Sequence, residues 1–355
     1  NDDANNLLRG SLASNMSYHT GVDNANFGYF IGGYGPGPTT MSTYVQRIAY
    51  GSDTTTAVEK GNLSIGRYLT AAAGNKSYGY VAGGSSANSP SAPYGTLSSV
   101  DRIDYSNDTP TAVAKGPLSA ARKWLMATSN TDYGWFSGGR STPSTDSGMS
   151  TLDRIDYSND TTTAPTRGLL SKRLEASGPT GNRAHGYLIG GYEHEITAQY
   201  GYSTSRITRI DYANDMAVPI WRGQMPMKEY RLIAVSARAN ALPVTGEFFN
   251  TIASELVPLY PTSQRGYWGG ASTQSWVERM DFYNDTAITP YKGAFAVRAQ
   301  YGTAATSSQS YGYWCGGYIS PSPITTVQRI DYSDDSATLL VKGPLATATY
   351  QGIGV

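Results

Sequence analysis

A glycine pair that closes a short aromatic run recurs six times along the chain. The runs are FGYFIGG ending at Gly33, YGYVAGG at Gly84, YGWFSGG at Gly139, HGYLIGG at Gly191, RGYWGG at Gly270 and YGYWCGG at Gly317. Such self-similarity indicates a repeat architecture, in which each unit is one supersecondary element that packs against its neighbours. The sequence is therefore restricted to folds built from copies of one unit.

Two further signatures follow each glycine pair. The first is RIDY or a close variant, which begins at Arg47, Arg102, Arg154, Arg209, Arg279 and Arg329, with spacings of 55, 52, 55, 70 and 50 residues. The second closes a run rich in Thr and Ala, and its copies are EKGNLS, AKGPLS, TRGLLS, WRGQMP, YKGAFA and VKGPLA. This unit length is typical of a four-stranded propeller blade.

Runs of β-branched and aromatic residues separated by turn clusters predict four strands in each unit. Strand one is a run such as ARKWLMATS from Ala121, strand two ends in the glycine pair, strand three contains RIDY, and strand four precedes the KG signature. The YSNDT segment between strands three and four has the residue types of a hairpin turn. We therefore predict an all-β fold, a β-propeller formed by residues 1–355 as a single domain.

Both ends of the chain match part of a unit. NDDANNLLRGSL at the start aligns with SDDSATLLVKGPL from Ser333, which makes it an outer fourth strand, and KGPLATATYQGIGV at the end aligns with an inner first strand. Six complete four-stranded repeats lie between these terminal strands. Either a six-bladed ring carries supplementary end strands, or a seventh blade is partly missing, and the sequence slightly favours seven blades.

The glycine doublet after an apolar second strand, followed by spaced aromatic residues, resembles the kelch repeat family. RIDYSNDT joined to KGPLS and YGYxxGG is more narrowly similar to repeat proteins of marine tailed phages, especially cyanophages, which are taken as virion components. The resemblance covers nearly the whole chain except residues 239–263. It implies a kelch-like β-propeller in the virion or outside the cell, with other virion subunits, copies of itself or a host glycan as partners.

Charge and hydropathy narrow the classes of partner. Lysine plus arginine and aspartate plus glutamate are equal at 27 each, so the net charge gives no electrostatic basis for binding nucleic acid. No apolar run of eighteen residues occurs, and we therefore predict no membrane insertion. The single cysteine, Cys315, cannot form an internal disulfide and is predicted to be a small buried apolar residue.

Charged groups that recur in every unit are predicted to be structural, because a catalytic site needs unlike groups that converge at one point. Arg102 and Asp104 lie two apart on one strand and can pair with each other or across a blade interface. The segment from Asp104 to Asp108 gathers several oxygens. It lacks the spacing and terminal glutamate of a calcium loop, so we interpret it as a turn.

The chain has three histidines, His19, His185 and His194. The triplet Glu193-His194-Glu195 is the one stretch locally rich in metal-ligand residue types, but on a strand its outer members would point away from the central one. We interpret it as a solvated polar loop. No catalytic residue, metal site or cofactor is predicted.

The connections between strands two and three vary in length and sequence, whereas the YSND turns and the short strand-one links repeat closely. Variation on a fixed scaffold is typical of a recognition surface, and tyrosines offer rigid amphipathic contacts. The candidate contact residues in these connections are Tyr34, Tyr94, Tyr192, Tyr200, Tyr202 and Tyr318.

Residues 239–263 interrupt the fifth repeat between strands one and two. They are interpreted as a surface loop packed by Phe248, Phe249 and Leu259, and alternatively as a contact with another subunit. A short helix through Asn250 to Val257 and a supply of strands to an incomplete blade are further alternatives.

The sequence as a whole predicts a non-enzymatic virion structural or host-attachment protein that acts as an interaction scaffold. Two alternatives stay open. One is a secreted or cell-surface kelch-type lectin, and the other is a propeller hydrolase that acts on polysaccharide.

Overall fold

Each of the six repeats forms an antiparallel sheet of four or more strands, and these six sheets are arranged as the blades of a six-bladed β-propeller. The second repeat has a separate two-stranded sheet as well. The computed structural model describes residues 12–14, 16–35, 41–52, 56–87, 95–141, 148–194, 201–231, 233–236, 265–269, 276–282, 289–298, 304–307 and 311–349. Within these ranges the regular structure is β-strand, with two single 3-10 turns at Tyr50–Ser52 and Tyr212–Asn214.

The strands follow one another blade by blade along the chain. Blade I contains β1 (Thr20–Asp23), β2 (Phe27–Ile31), β3 (Tyr44–Ala49) and β4 (Val58–Asn62). Blade II contains β5 (Ala71–Gly74), β6 (Tyr78–Ala82), the short pair β7 (Ser85–Ser86) and β8 (Gly95–Thr96), then β9 (Val100–Asp104) and β10 (Val113–Lys115). Blade III contains β11 (Met126–Ser129), β12 (Tyr133–Ser137), β13 (Thr151–Asp156) and β14 (Thr166–Leu169).

Blades IV and VI each contain two ten-residue strands, whereas the strands of blade V are as short as those of blade III. Blade IV contains β15 (Arg173–Glu175), β16 (Gly178–Gly181), β17 (His185–Ile189), β18 (Tyr192–His194), β19 (Tyr202–Asp211) and β20 (Ile220–Glu229). Blade V contains β21 (Ile233–Ser236), β22 (Arg265–Gly269), β23 (Trp276–Asp281) and β24 (Tyr291–Ala294). Blade VI contains β25 (Ala304–Ser307), β26 (Tyr311–Cys315), β27 (Tyr318–Ile319), β28 (Ser322–Asp331) and β29 (Leu340–Thr349).

Two expectations about the blades and the chain ends are corrected. The slight preference for seven blades is wrong, because six sheets form the ring. The prediction of an inner first strand at the C-terminus is also wrong for the described residues. The segment continues β29 as far as Thr349, which pairs with Ile324 of the equally long β28. The ten-residue β28 gives it a partner along its whole length, with bulges that absorb the irregular register. The N-terminal residues 1–11 lie outside the described ranges.

The first strand of each blade is innermost, since β1, β5, β11, β16, β21 and β25 contact one another in succession around the ring. The core between blades combines aliphatic side chains with stacked aromatic rings. The tyrosine of RIDY in one blade stacks on the second aromatic residue of YGY in the preceding blade, with ring centroids 4.9 Å apart for Tyr105 on Tyr29 and 4.8 Å for Tyr157 on Tyr80. Offset stacking of buried rings adds to the free energy that burial of their area contributes. The repeated aromatic residues therefore hold neighbouring blades together.

The glycine pair is required by backbone geometry. Gly32 and Gly33 have φ angles of +66° and +92°, in the left-handed region that glycine tolerates best. A Cβ at Gly33 would overlap the carbonyl oxygen of Ser17. Both glycines of each fully described pair share this conformation, which turns the chain sharply where strand two ends.

A charged clasp joins consecutive blades near their outer strands. The carboxylate of Asp160, in the strand three to four turn of blade III, accepts from three side chains of blade II. These are Arg102 Nη1 at 2.7 Å, Tyr80 Oη at 2.9 Å and Lys115 Nζ at 3.0 Å. Asp108, Asp215 and Asp335 occupy the same position in three further interfaces. The arginine of RIDY and the lysine of KGPLS thus serve the same interface.

The structure decides how the RIDY and YSND residues are used. Arg102 pairs across the blade interface with Asp160 rather than with Asp104. Asp104 instead accepts from the backbone N–H and hydroxyl of Ser106 at 2.9 and 2.6 Å, which confirms the hairpin turn. The glycine of the KG signature lies where the next blade's turn approaches, as Gly116 N donates to the Asp160 carbonyl at 2.9 Å.

Candidate functional site

The strand two to three connections and the links that enter each new blade lie on one face, here called the loop face. The pairing of these segments shows this directly. Tyr34, which follows the first glycine pair, bridges to Ser17 before β1, and Arg140 bridges to Lys123 before β11. The opposite face carries the one-to-two and three-to-four hairpins and is called the turn face.

A belt of backbone hydrogen bonds runs around the inner edge of the loop face. Two residues before β1, β5, β11, β16 and β21, the chain adopts a left-handed conformation with φ between +53° and +58°. Each of these residues from blade II to blade V donates its N–H to the carbonyl of the equivalent residue one blade earlier, at 3.4, 3.1, 3.1 and 2.7 Å. The residues are Tyr18, Leu69, Trp124, Ala176 and Arg231. Gly302 has the corresponding sequence position in the sixth repeat and lies outside the described residues.

Side chains from this belt meet across the central axis. The rings of Tyr18 and Trp124, from blades I and III, have centroids 6.0 Å apart in an edge-on arrangement. The exposed guanidinium of Arg231, from blade V, lies 4.8 Å from the Trp124 ring. Because these residues belong to alternate blades, they can touch only over the mouth of the central channel.

Tyrosines extend this aromatic surface outward over blades I and II. The rings of Tyr34 and Tyr68 have centroids 4.4 Å apart, and Tyr18 contacts both edge-on. All three tyrosines and Trp124 are half-buried, so each ring keeps one part accessible. We call Tyr18, Tyr34, Tyr68 and Trp124 the aromatic patch.

The structure places the six tyrosines named from the sequence in different surroundings. Tyr34 belongs to the aromatic patch. Tyr192 lies against Tyr230 and His194 at centroid distances of 5.8 and 5.3 Å, and the Tyr202 hydroxyl donates to Glu193 at 3.1 Å. Tyr318 is in β27 of blade VI. Tyr94 and Tyr200 lie outside the described residues, as do residues 239–263 with Phe248, Phe249 and Leu259 of the insertion.

The interpretation of Glu193 and His194 as a solvated loop is wrong. They form part of β18, which pairs with β15 and β19 and buries both side chains. They point to opposite faces, as the alternation of a strand requires. Glu193 faces Arg206 at 3.4 Å, whereas His194 Nε2 lies 3.6 Å from Glu175 Oε1. Glu195 lies outside the described ranges.

Lys123, Arg140, Glu175 and His194 form what we call the charged cluster, beside the aromatic patch. Arg140 Nε lies 3.4 Å from Glu175 Oε2, and the backbones of Lys123 and Arg140 exchange hydrogen bonds of 2.9 and 2.8 Å. Burial, and to a smaller extent the charge of Arg140, lowers the pKa of Lys123. The corresponding pairs are Ser17 with Tyr34 in blade I, Tyr68 with Ser85 in blade II, and Glu175 with Tyr192 in blade IV. The third blade therefore breaks the repeat symmetry by setting two cations together.

Other titratable groups serve the scaffold. Fully buried ion pairs join Arg67 to Asp101 at 3.1 Å and Arg122 to Asp153 at 2.9 Å. Burial lowers the pKa of His19 to about 4. It also raises the pKa of the Cys315 thiol to about 12, and part of the surface of Cys315 is accessible to solvent. In the described part of the chain, no three His, Cys, Asp or Glu side chains are placed to hold a metal ion. No helix in the same ranges could span a membrane.

Sequence reasoning missed Tyr18, Tyr68, Trp124 and Arg231. The available signal was positional: each lies in the link between the KG signature and strand one, where the six repeats carry unlike residues. Only the closed ring shows that these links converge.

Comparison with known proteins supports the fold and gives no family. The solved structure of YjhT is similar to this chain with a TM-score of 0.67 at 11% sequence identity, covering 95% of this chain and 100% of that one. At this identity the likeness concerns the fold alone. No protein-family model and no curated protein matches the sequence.

Proposed function

We propose that this β-propeller is a non-enzymatic interaction scaffold that binds a saccharide through the aromatic patch on its loop face. The observation that carries this proposal is the convergence of Tyr18, Tyr34, Tyr68 and Trp124 at the mouth of the channel. Accessible aromatic rings with hydroxyl and N–H groups at their edges supply both apolar contact and hydrogen bonds. A sugar ring presents the complementary combination of C–H faces and hydroxyls.

The use of the repeated charges supports a scaffold rather than a catalyst. The arginines of RIDY and the last aspartates of YSND form the interblade clasps wherever both partners are described. The most numerous candidates for acid–base chemistry therefore have a structural role. Variation is concentrated instead in the links of the loop face, which is where a propeller can change its partner without changing its frame.

We propose a virion structural or host-attachment role, in the virion or outside the cell. The support is the resemblance of the repeats to kelch proteins and, more narrowly, to repeat proteins of tailed phages. Other virion subunits or copies of this chain would contact the same scaffold. Mass spectrometry and electron microscopy of purified particles test this role, and absence of the protein from infectious particles would refute it.

A glycan array tests the binding proposal. We expect binding that weakens at least about tenfold in Tyr68→Ala and Trp124→Ala, since loss of an aromatic contact costs about 1 to 3 kcal/mol. Trp221→Ala removes an exposed tryptophan from an outer strand of blade IV, outside the aromatic patch, and is the control. Equal weakening by the control, or unchanged binding in both patch variants, would refute the role of the patch.

The two alternatives are separated by other measurements. A cell-surface or secreted lectin would use the same patch and would be found on cells rather than in particles. A polysaccharide hydrolase would release shorter products from a bound polymer, which chromatography detects. Sustained product release by the purified chain would overturn the non-enzymatic proposal.

A further inference from the structure

We infer that the charged cluster is an anion-binding subsite, so that the saccharide recognised at the loop face carries a carboxylate or sulfate group. This inference rests on the proposed saccharide-binding function and specifies its ligand class. The subsite consists of Lys123 and Arg140, with Glu175 and His194 behind them.

The arrangement of Arg140 leaves donors available for a ligand. Its Nε faces Glu175 Oε2 at 3.4 Å, and its side chain is 35% exposed. This contact through Nε is the one ion pair that the Arg140 side chain forms among the described residues. A guanidinium held through one nitrogen presents its remaining donors in a fixed plane, which suits the oxygens of a carboxylate or sulfate.

Lys123 is likewise without a partner in the described ranges. Its chain neighbour Trp124 belongs to the aromatic patch, and its electrostatic neighbours are Tyr68, Arg140 and Glu175. Two cations beside one carboxylate leave an excess of positive charge at this point. Burial is the main cause of the lowered pKa of Lys123, and the charge of Arg140 adds to it. An anion placed between Lys123 and Arg140 would offset both effects, because it favours the charged form of the lysine.

The buried groups behind the cations provide a second, independent indication. Glu175 and His194 are only 6% and 4% exposed, and neither Glu175 Oε2 nor His194 Nε2 has a hydrogen-bond partner. Buried polar atoms are nearly always satisfied, so these two point to a missing ligand or water. Glu175 Oε2 can only accept and fits a hydroxyl of the saccharide or a water, whereas an N–H at His194 Nε2 can donate to an anionic oxygen. The clasps between blades, by contrast, satisfy their aspartates fully with partners from the preceding blade.

The position of the cluster fits a ligand that spans it and the aromatic patch. Two members of the patch lie beside Lys123: Tyr68 is close to it in space, and Trp124 is the next residue along the chain. A sugar ring packed on the patch would place an acidic substituent over the two cations. The neutral net charge of the whole chain makes long-range attraction of a polyanion a poor alternative explanation.

Calorimetric titration with three oligosaccharides tests the inference. The probes are an oligogalacturonate, its neutral methyl ester and a sulfated galactan oligosaccharide. The variants are Lys123→Met and Arg140→Gln. Lys76→Met, at an exposed lysine in the β5–β6 hairpin of the turn face, is the control with the same change in charge. Thermal unfolding of each variant checks that it is folded.

We expect the wild type to bind at least one anionic probe about tenfold or more tightly than the neutral ester. This preference should disappear in Lys123→Met and Arg140→Gln and persist in Lys76→Met. Which anionic probe binds identifies the group as carboxylate or sulfate. Equal binding of all three probes would overturn the inference and leave the proposed function standing, whereas no binding of any saccharide on the array or here would overturn both. Loss of the preference in Lys76→Met as well would show non-specific attraction and overturn the inference.

Discussion

Replacement of Asp160 by asparagine tests how the blades are held together. In the wild type the 6% exposed Asp160 carboxylate accepts from Arg102 Nη1 at 2.7 Å, Lys115 Nζ at 3.0 Å and Tyr80 Oη at 2.9 Å. Asparagine keeps the shape but leaves two largely buried cations without a counter-charge. Breaking a buried pair costs about 3 to 5 kcal/mol, and the partial exposure of Arg102 reduces this to about 2 to 4 kcal/mol.

The expected shift in melting temperature follows from chain length. An unfolding entropy of about 2.1 cal/mol/K per residue over 355 residues gives about 0.75 kcal/mol/K. A loss of about 3 kcal/mol therefore lowers the melting temperature by about 4 °C, measurable by differential scanning calorimetry. Asp156→Asn is the matched control, since Asp156 only caps its own turn through Ser158. If Asp160→Asn destabilises no more than the control, the clasp does not hold the blades.

The same network sets a pH dependence. Burial raises the pKa of Asp160, but hydrogen bonds from Lys115 and Tyr80 and the charge of Arg102 outweigh it, so the pKa lies below its ordinary value. A carboxylate with a depressed pKa contributes stability that is present above its unfolded pKa of about 3.9 and is lost as the pH falls through the folded value. The difference between wild type and Asp160→Asn should therefore shrink below about pH 4.

Three further predictions concern single sites. Burial raises the pKa of Glu278 to about 7, so the wild type loses stability as the pH rises from about 4.5 to 7. In urea unfolding, Glu278→Gln should therefore be about 3 kcal/mol more stable than the wild type at pH 8 and equally stable at pH 4. Glutamine already occupies this position in blades I and VI, as Gln46 and Gln328. If Glu278→Gln were less stable than the wild type at pH 8, burial of the charged carboxylate would not be what destabilises the wild type. Gly33→Ala should lower the free energy of unfolding in urea by at least about 2 kcal/mol, because the new Cβ combines a left-handed φ with overlap on the Ser17 carbonyl oxygen. Gly51 has open space around it, so Gly51→Ala should leave the stability unchanged. Equal effects of the two substitutions would refute this reasoning. Since the pKa of the Cys315 thiol is about 12, labelling by a disulfide reagent at pH 8 should be slow in the folded protein and fast in urea, and rapid labelling when folded would show an accessible thiolate.

The propeller could be predicted because the repeat signatures are themselves the contacts between blades. RIDY supplies a clasp arginine and a stacking tyrosine, YSND supplies the aspartate that the arginine binds, and KG supplies a lysine and a close approach. Each short signature therefore indicates contacts between residues that are far apart in the sequence. The number of blades could not be decided in the same way, because terminal segments that match a strand type do not specify which sheet they join.

The candidate site was only partly predictable. Tyr34 was found because it lies in a variable connection, but the belt accepts Tyr, Leu, Trp, Ala and Arg alike at its left-handed position, so no residue type marks it. Contact between Tyr18 and Trp124 depends on closure of the ring and leaves no trace in either segment. The buried state of His194 was missed because the pairing that is a single bridge in blades I to III is lengthened to the strands β15 and β18 in blade IV, and polar sequence normally indicates exposure.

The most direct test of the account is an electron cryomicroscopy structure of the protein in its native assembly, with its neighbours and any bound saccharide resolved. We predict partner or ligand density over the aromatic patch and beside Lys123 and Arg140, with the turn face free of ligand. Density confined to the turn face or the outer strands, with the patch open to solvent, would contradict the assignment of the loop face as the binding surface.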